Sequence, residues 1–202
     1  MARTKPAEER RADLLAAAES LFIRKGIEAT SLDEITSAAG TSKGLFYSYF
    51  RSKDDIIAAL QERFSIVVTD RINAAIAEQT DWGAKLDAVV QASFDVHEEM
   101  RDLHDALFHR SYPASRDVEG SVGQRSQGLV IEAISKLVRD GHAAGAFEVN
   151  DPVTDTVMAF IVMRLFNRSI YSTEEISDRD LIRAAQQLFR RAVGVKSTSG
   201  LS

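Results

Sequence analysis

Cysteine is absent from this 202-residue chain. That excludes disulfides, thiol nucleophiles and every cysteine-based zinc or iron–sulfur centre. Proline is nearly absent as well, with residues only at positions 6, 113 and 152, and no stretch shows the sustained alternation of a strand. Long apolar runs are missing too. The longest, Val157–Met163, is far short of the roughly 20 residues that a membrane helix needs. The N-terminal MARTKPAEERRADLL is charged and has no apolar export segment, so a cytoplasmic location is expected. Nor is there a glycine-rich phosphate loop, a nucleophile elbow or a tight cluster of metal ligands. The chain is therefore expected not to be an enzyme and to carry no cofactor.

What is present is an ordinary globular composition, 45% hydrophobic and 27% charged. The net charge of −5 argues at first against a nucleic-acid partner. Its distribution qualifies that: of 25 basic and 30 acidic side chains, nine and nine lie in residues 1–55, so 16 and 21 remain elsewhere. The first quarter of the chain is neutral and the deficit lies beyond it.

Helical signals recur throughout. Leu14, Ala18, Leu21 and Phe22 form one apolar stripe that ends near Gly26. Ser52 with Asp55 can cap a long helix bearing Ile56, Leu60, Phe64, Val67 and Ile76. Asp81 can cap the next, with Leu86, Val90, Phe94 and His97 on one face. A shorter helix is expected over Leu103–Ser111, and PASRDVEG, from Pro113 to Gly120, reads as a loop. Ser121 and Gln124 then cap a helix bearing Leu129, Ala133, Leu137 and Val138, closed by Gly141. Asp151–Pro152 starts another, and Ser177 with Asp180 opens the last, which carries Leu181, Ala185, Leu188, Phe189 and Ala192. The expectation is an all-α chain of about nine helices. Residues 1–52 form a small head, 53–194 a larger helical body, and 195–202 a disordered tail.

The most informative stretch is TSLDEITSAAGTSKGLFYSYFRSK, Thr30 to Lys53. Ser31 and Glu34 make a capping box, Leu32, Ile35 and Ala39 recur at helical spacing, and Gly40 can end the helix in a left-handed conformation. A second helix is expected from about Lys43 to Phe50. Two short helices about a glycine turn form a helix-turn-helix, whose second helix enters the DNA major groove. Phe46 and Phe50, four residues apart, define its buried side. Gly44, Leu45 and Ser48 then point away from the core, with Tyr47 and Tyr49 on opposite flanks. Small outward residues suit close approach to base edges, and Thr41 to Lys53 contains Lys43, Arg51 and Lys53 but no acid. One such tyrosine is an ordinary half-buried aromatic; two flanking a small-residue face favour DNA.

This run, with the preceding AEERRADLLAAAESLFIRKGIEAT, resembles the N-terminal domain of the TetR family of bacterial transcriptional regulators. The matching residues are Ala17, Phe22, Gly26, Ser31, Ile35, Ala39, Gly40, Ser42, Lys43, Gly44, Tyr47, Tyr49, Phe50, Lys53 and Ile57, dense over about the first quarter of the chain. Departures stand at Thr41, where relatives carry a small aliphatic residue, at Leu45 (Thr or Ser), at Phe46 (Leu) and at Ser48 (often His). They bear on the operator sequence rather than on the fold. The resemblance implies DNA binding through Ser31, Thr41, Ser42, Lys43, Gly44, Leu45, Tyr47, Ser48, Tyr49 and Lys53.

In the body, DPVTDTVMAFIVMRLFNRSIY is apolar nearly all round, as befits a central helix or one shared with a subunit interface. The resemblance implies the interface, since the family dimerises through its last two helices. That places Phe160, Met163, Asn167, Leu181 and Leu188 between subunits. His97, Arg101, His104 and Phe108 could share one face if their helix is continuous. A metal site from His97, His104 and His109 would need imidazoles about 10 Å apart to meet, so polar histidines on a helix are the better reading. Phe94, His97, Met100, His104, Phe108, Tyr112 and Arg164 are the candidate lining of a small-molecule pocket. Arg164, set among apolar neighbours, needs a partner; an acidic side chain across a dimer ranks above a ligand carboxylate.

The leading reading is a homodimeric transcriptional regulator, a repressor that a small molecule releases from a double-stranded DNA operator. The rival is a helical small-molecule-binding protein or enzyme without DNA binding. A third reading keeps DNA binding and removes the ligand.

Overall fold

The computed structural model describes residues 6–108, 122–149, 151 and 177–195. Leu14, Leu15, Ala18, Leu21 and Phe22 are buried along helix α1 (Ala7–Lys25), which carries Glu8 and Glu9 in its first turn and Arg24 and Lys25 in its last. That charge order suits the helix dipole. Gly26 ends it at φ +85°, a conformation costly to any residue with a Cβ. Next come α2 (Leu32–Ala38), α3 (Lys43–Tyr47) and the 25-residue α4 (Lys53–Ala77). The Asp55 amide donates to Ser52 Oγ at 3.2 Å, the cap expected for α4. Beyond it, α5 (Trp82–Glu99) begins with the Ala84 amide on Asp81 Oδ1 at 2.8 Å. The remaining elements are α6 (Arg101–Phe108), α7 (Val122–Ala143) and α8 (Asp178–Ala192), the last capped by Ser177.

Eight helices are thus described, and the chain is all-α. The ninth expected, opening at Asp151–Pro152, falls outside the described residues from Pro152 onward, as does the loop from Pro113. Among the described residues the one extended pairing is an isolated antiparallel bridge between Phe147 and Val195. Val195, expected as the first residue of a disordered tail, is held there. Its amide bonds Arg190 O and the Glu148 amide reaches Val193 O, both at 3.1 Å.

Packing divides the chain into two compact units, Met1–Phe64 with Met100–Ser126, and Ser65–Glu99 with Gln127–Ser202. The first unit extends past residue 52. Its core joins Leu14, Phe22, Ile35, Phe46, Ile56 and Leu60 to Leu103, Ala106 and Leu107 of α6. Helix α6 packs on α1 because its apolar residues recur at three- and four-residue spacing. The second core collects Ile72, Leu86, Val90, Ile134, Val138, Phe147, Ala185 and Phe189. On α4 the apolar series is Ile56, Leu60 and Phe64, then Val68, Ile72 and Ile76; Val67, half-buried like Val68 and Ile76, belongs to neither core.

Candidate nucleic-acid interface

Helices of seven and five residues cannot persist on propensity alone, so caps and packing must hold α2 and α3. The expected capping box is present. Ser31 Oγ accepts from the Glu34 amide at 3.3 Å, and Glu34 Oε2 accepts from the Ser31 amide at 2.9 Å. Lys25 bonds the other oxygen of Glu34. First that lysine, then the Ser31 amide and hydroxyl, draw the Glu34 carboxyl from 4.5 down to about 2. Gly40 makes the turn at φ +63°, and Ser42 Oγ accepts from the Leu45 amide at 3.2 Å to start α3.

The second helix is regular only to Tyr47, not to Phe50 as expected. Ser48 and Tyr49 donate three residues back, to Leu45 and Phe46 carbonyls at 3.1 and 2.9 Å, the tighter 3₁₀ pattern of a closing turn. Ser48 Oγ also donates to Gly44 O at 3.3 Å. The Phe50 amide still reaches Phe46 O at 3.0 Å, so both rings remain on the buried side, 1% and 3% exposed. Arg11 lies over the Phe50 ring at 5.4 Å, a contact that no local spacing announces.

The outward face matches the expectation in part. Ser42, Lys43, Gly44, Tyr47 and Ser48 are exposed, with Tyr47 at 55%. A Cβ on Gly44 would meet only Ser42 Oγ, at 3.9 Å. The protein's own packing therefore does not require glycine there. Leu45 is half-buried, and the two tyrosines are not equivalent flanks, because Tyr49 packs against the head core. Thr41 is half-buried with its hydroxyl unbonded, while its amide holds Thr36 O at 2.9 Å. Lys43 pairs with Asp33 at 2.6 Å. Lys53 departs most from the expectation: its ammonium donates to Ile27 O at 2.9 Å and Thr30 O at 3.1 Å, tying the α1–α2 loop to the start of α4. Two of its three donors are thus spent inside the fold.

Residues 14–60 match the family model described as bacterial regulatory proteins of the tetR family. This span contains all of α2, the turn and α3. The chain belongs to the TetR family. It is 30% identical over 135 residues to the transcriptional activator FasR of Mycolicibacterium smegmatis, a match covering 67% of this chain and 62% of FasR. It is 31% identical over 86 residues to the transcriptional repressor KstR2 of Rhodococcus jostii, covering 43% and 42% of the two chains. A TetR-family regulator structure from Syntrophomonas wolfei superposes with a TM-score of 0.76 over 96% of this chain and all of that one, at 20% identity. That likeness establishes a TetR-type fold for nearly the whole chain.

The candidate ligand residues fall on both units. Phe94 packs against the second core, and His97 is half-buried on α5. Met100 and Phe108 pack against the first core. Helix α5 ends at Glu99, so the continuous face expected to carry His97, Arg101, His104 and Phe108 is interrupted. Instead His104 stacks on Phe108 at 4.9 Å and on Phe64 at 5.4 Å, with its Nδ1 3.6 Å from Asp105. Phe64, which the sequence placed only in a helix stripe, completes this ring cluster. Tyr112, Arg164 and His109 lie outside the described residues, as do Phe160, Met163 and Asn167 of the expected interface. Of the remaining two, Leu188 is 38% exposed, whereas Leu181 is buried within its own chain and has little surface to offer a partner.

Proposed function

We propose that this TetR-family chain is a sequence-specific, double-stranded-DNA-binding regulator of transcription that works as a cytoplasmic homodimer without catalytic activity. The observation that carries the reading is the exposed Gly44, Tyr47 and Ser48 face, on a helix fixed by the Ser42 cap and by buried Phe46 and Phe50. A pinned helix with a small-residue face can place its backbone close to base edges. Residues 1–52 would act as the reading head and residues 53–194 as the ligand-binding and dimerising body. A small molecule bound in the body would favour the DNA-incompetent arrangement and release the operator, provided it binds that arrangement more tightly. Repression is the favoured sign, although FasR, an activator by name, has the higher coverage of the two relatives above.

The test is selection of DNA fragments by the purified protein, followed by a gel shift with the winning sequence. Gly44→Ala sharpens it. Alanine fits the fold and raises helix propensity by about 0.8–1 kcal/mol, so the variant should melt no lower than the parent yet bind the selected duplex at least tenfold more weakly. Undiminished binding would remove α3 from the groove. Absence of any selected sequence would favour the rival, a helical small-molecule binder without DNA affinity.

A further inference from the structure

The first unit does not offer its lysine charge freely. Its described residues include three lysines, and each ammonium has an acceptor within the chain: Lys25 on Glu34, Lys53 on the Ile27 and Thr30 carbonyls, and Lys43 on Asp33. The first two serve the fold, one through the capping box and the other through the α1–α2 loop. The third does not. Among the described residues the Asp33 carboxylate holds Lys43 at 2.6 Å and no backbone amide, and the two side chains are 67% and 56% exposed. An ion pair so exposed adds little to folding. It sits, however, at the first residue of α3, where a cation would meet a phosphate if that helix enters the groove.

We infer that Asp33 is an internal stand-in for a DNA phosphate, holding Lys43 in the free protein and lowering its affinity for any duplex. This rests on the DNA-binding reading proposed above. Binding would exchange one anion for another at the Lys43 ammonium, so the contact yields only the difference between phosphate and carboxylate. Exposed pairs of this kind correspond to about 1.5- to 5-fold in an equilibrium constant. Damping of that size is useful in a regulator, because ligand coupling spans only about 5- to 150-fold and cannot release an operator bound too tightly.

The experiment is a double-mutant cycle on the intact protein. Affinity for a mixed-sequence duplex is measured by fluorescence anisotropy across a salt series. Asp33→Asn should bind about 1.5- to 5-fold more tightly, and Asp33→Glu, which restores the charge, should return to parental affinity. Lys43→Ala should bind more weakly and flatten the log–log salt slope by about one unit. In the Lys43→Ala background the Asp33→Asn gain should shrink below about 1.5-fold, since only screened repulsion from the phosphates remains. Unfolding temperatures should stay close to parental, which separates the effect from a loss of α2. An equal gain in both backgrounds, or none in the parental one, would overturn the role of Asp33. Failure of the folded parent to bind any duplex at low salt would instead overturn the DNA-binding reading, and this inference with it.

Discussion

The helix-turn-helix and the contact between α5 and α8 are both held by polar and charged side chains, but over very different lengths of chain. Around α2 and α3 the partners stand three to ten residues apart: Ser31 with Glu34, Ser42 with Leu45, Gly44 with Ser48 and Asp33 with Lys43. Helix α8 docks instead through Arg190, which grips both oxygens of Asp87 at 2.8 and 2.7 Å from 103 residues away, while Gln186 bonds Asp87 O at 3.2 Å. Gly83 leaves room for this fork, since a Cβ there would lie 2.7 Å from the guanidinium. Short-range bonds let a segment set its own shape and then be carried as a unit by buried rings. Long-range bonds form only after the chain has already been brought together.

The most severe way to break this contrast is to remove the ring beneath α3. Phe46→Ala should cost about 3–5 kcal/mol, because Phe46 is 1% exposed and packs against Tyr47 and Phe50. Hydrogen exchange should show loss of protection in α2 and α3 first, with α5 and α8 retaining theirs, and DNA binding should vanish. Equal loss of protection in both regions would mean that they unfold as one, and the contrast would fail.

A smaller loss is expected on the other side of the comparison. Arg190→Ala should destabilise by about 1–2 kcal/mol, the upper range for a bidentate pair discounted because its members are 39% and 32% exposed. The hydrogen bonds to Asp87 raise the Arg190 pKa further still, so the guanidinium stays protonated at any working pH. Arg190→Lys should recover only part of the loss, since an ammonium cannot span both carboxylate oxygens. Urea midpoints for the two single variants and the double variant with Asp87→Ala would give the coupling. Full additivity would show that the fork contributes packing alone.

These length scales explain what could be read from the sequence. The capping boxes, the Gly40 turn and the Phe46–Phe50 spacing are local patterns, and they placed α2 and α3 to within a few residues. The early end of α3 was not legible, because it depends on Ser48 and Tyr49 donating three residues back rather than four. Asp33 and Lys43 are ten apart on different helices, a spacing that signals nothing, so the pair was missed. The inclusion of α6 in the head unit was equally hidden, since the stripe of Leu103, Ala106 and Leu107 names a buried face but not its partner. In the body, helix starts were readable at Asp81 and Ser177, whereas neither the Arg190–Asp87 fork nor the Phe147–Val195 bridge has a sequence signature.

Lys53 tests the contrast from within the head, because it joins residues 23 and 26 positions apart in what is otherwise a locally bonded region. Lys53→Met keeps the aliphatic stem and removes the donors, leaving the Ile27 and Thr30 carbonyls to water. The cost should be about 1 kcal/mol, visible as a lower urea midpoint. If Lys53 serves the loop rather than the phosphates, the salt slope of DNA binding should be unchanged, unlike that of Lys43→Ala. A slope flattened by a full unit would instead return Lys53 to the DNA interface.

The smallest effect belongs to Glu34, and it separates capping from packing by pH. With its carboxyl drawn from 4.5 to about 2, Glu34 contributes stability that is fully present above the unfolded value and is lost as pH falls through about 2. Lys25 is the first cause of the shift and the Ser31 amide the second, so the loss should appear as fraying at the start of α2 rather than collapse of the head. Glu34→Gln can still accept from the Ser31 amide but forfeits the charge. Its melting temperature should lie slightly below the parent at pH 7, and the two curves should converge as the pH approaches 2. A difference that stays constant across this range would show that the side chain acts through shape, not charge. The locally bonded character of the helix-turn-helix would then rest on Ser31 and Ser42 alone.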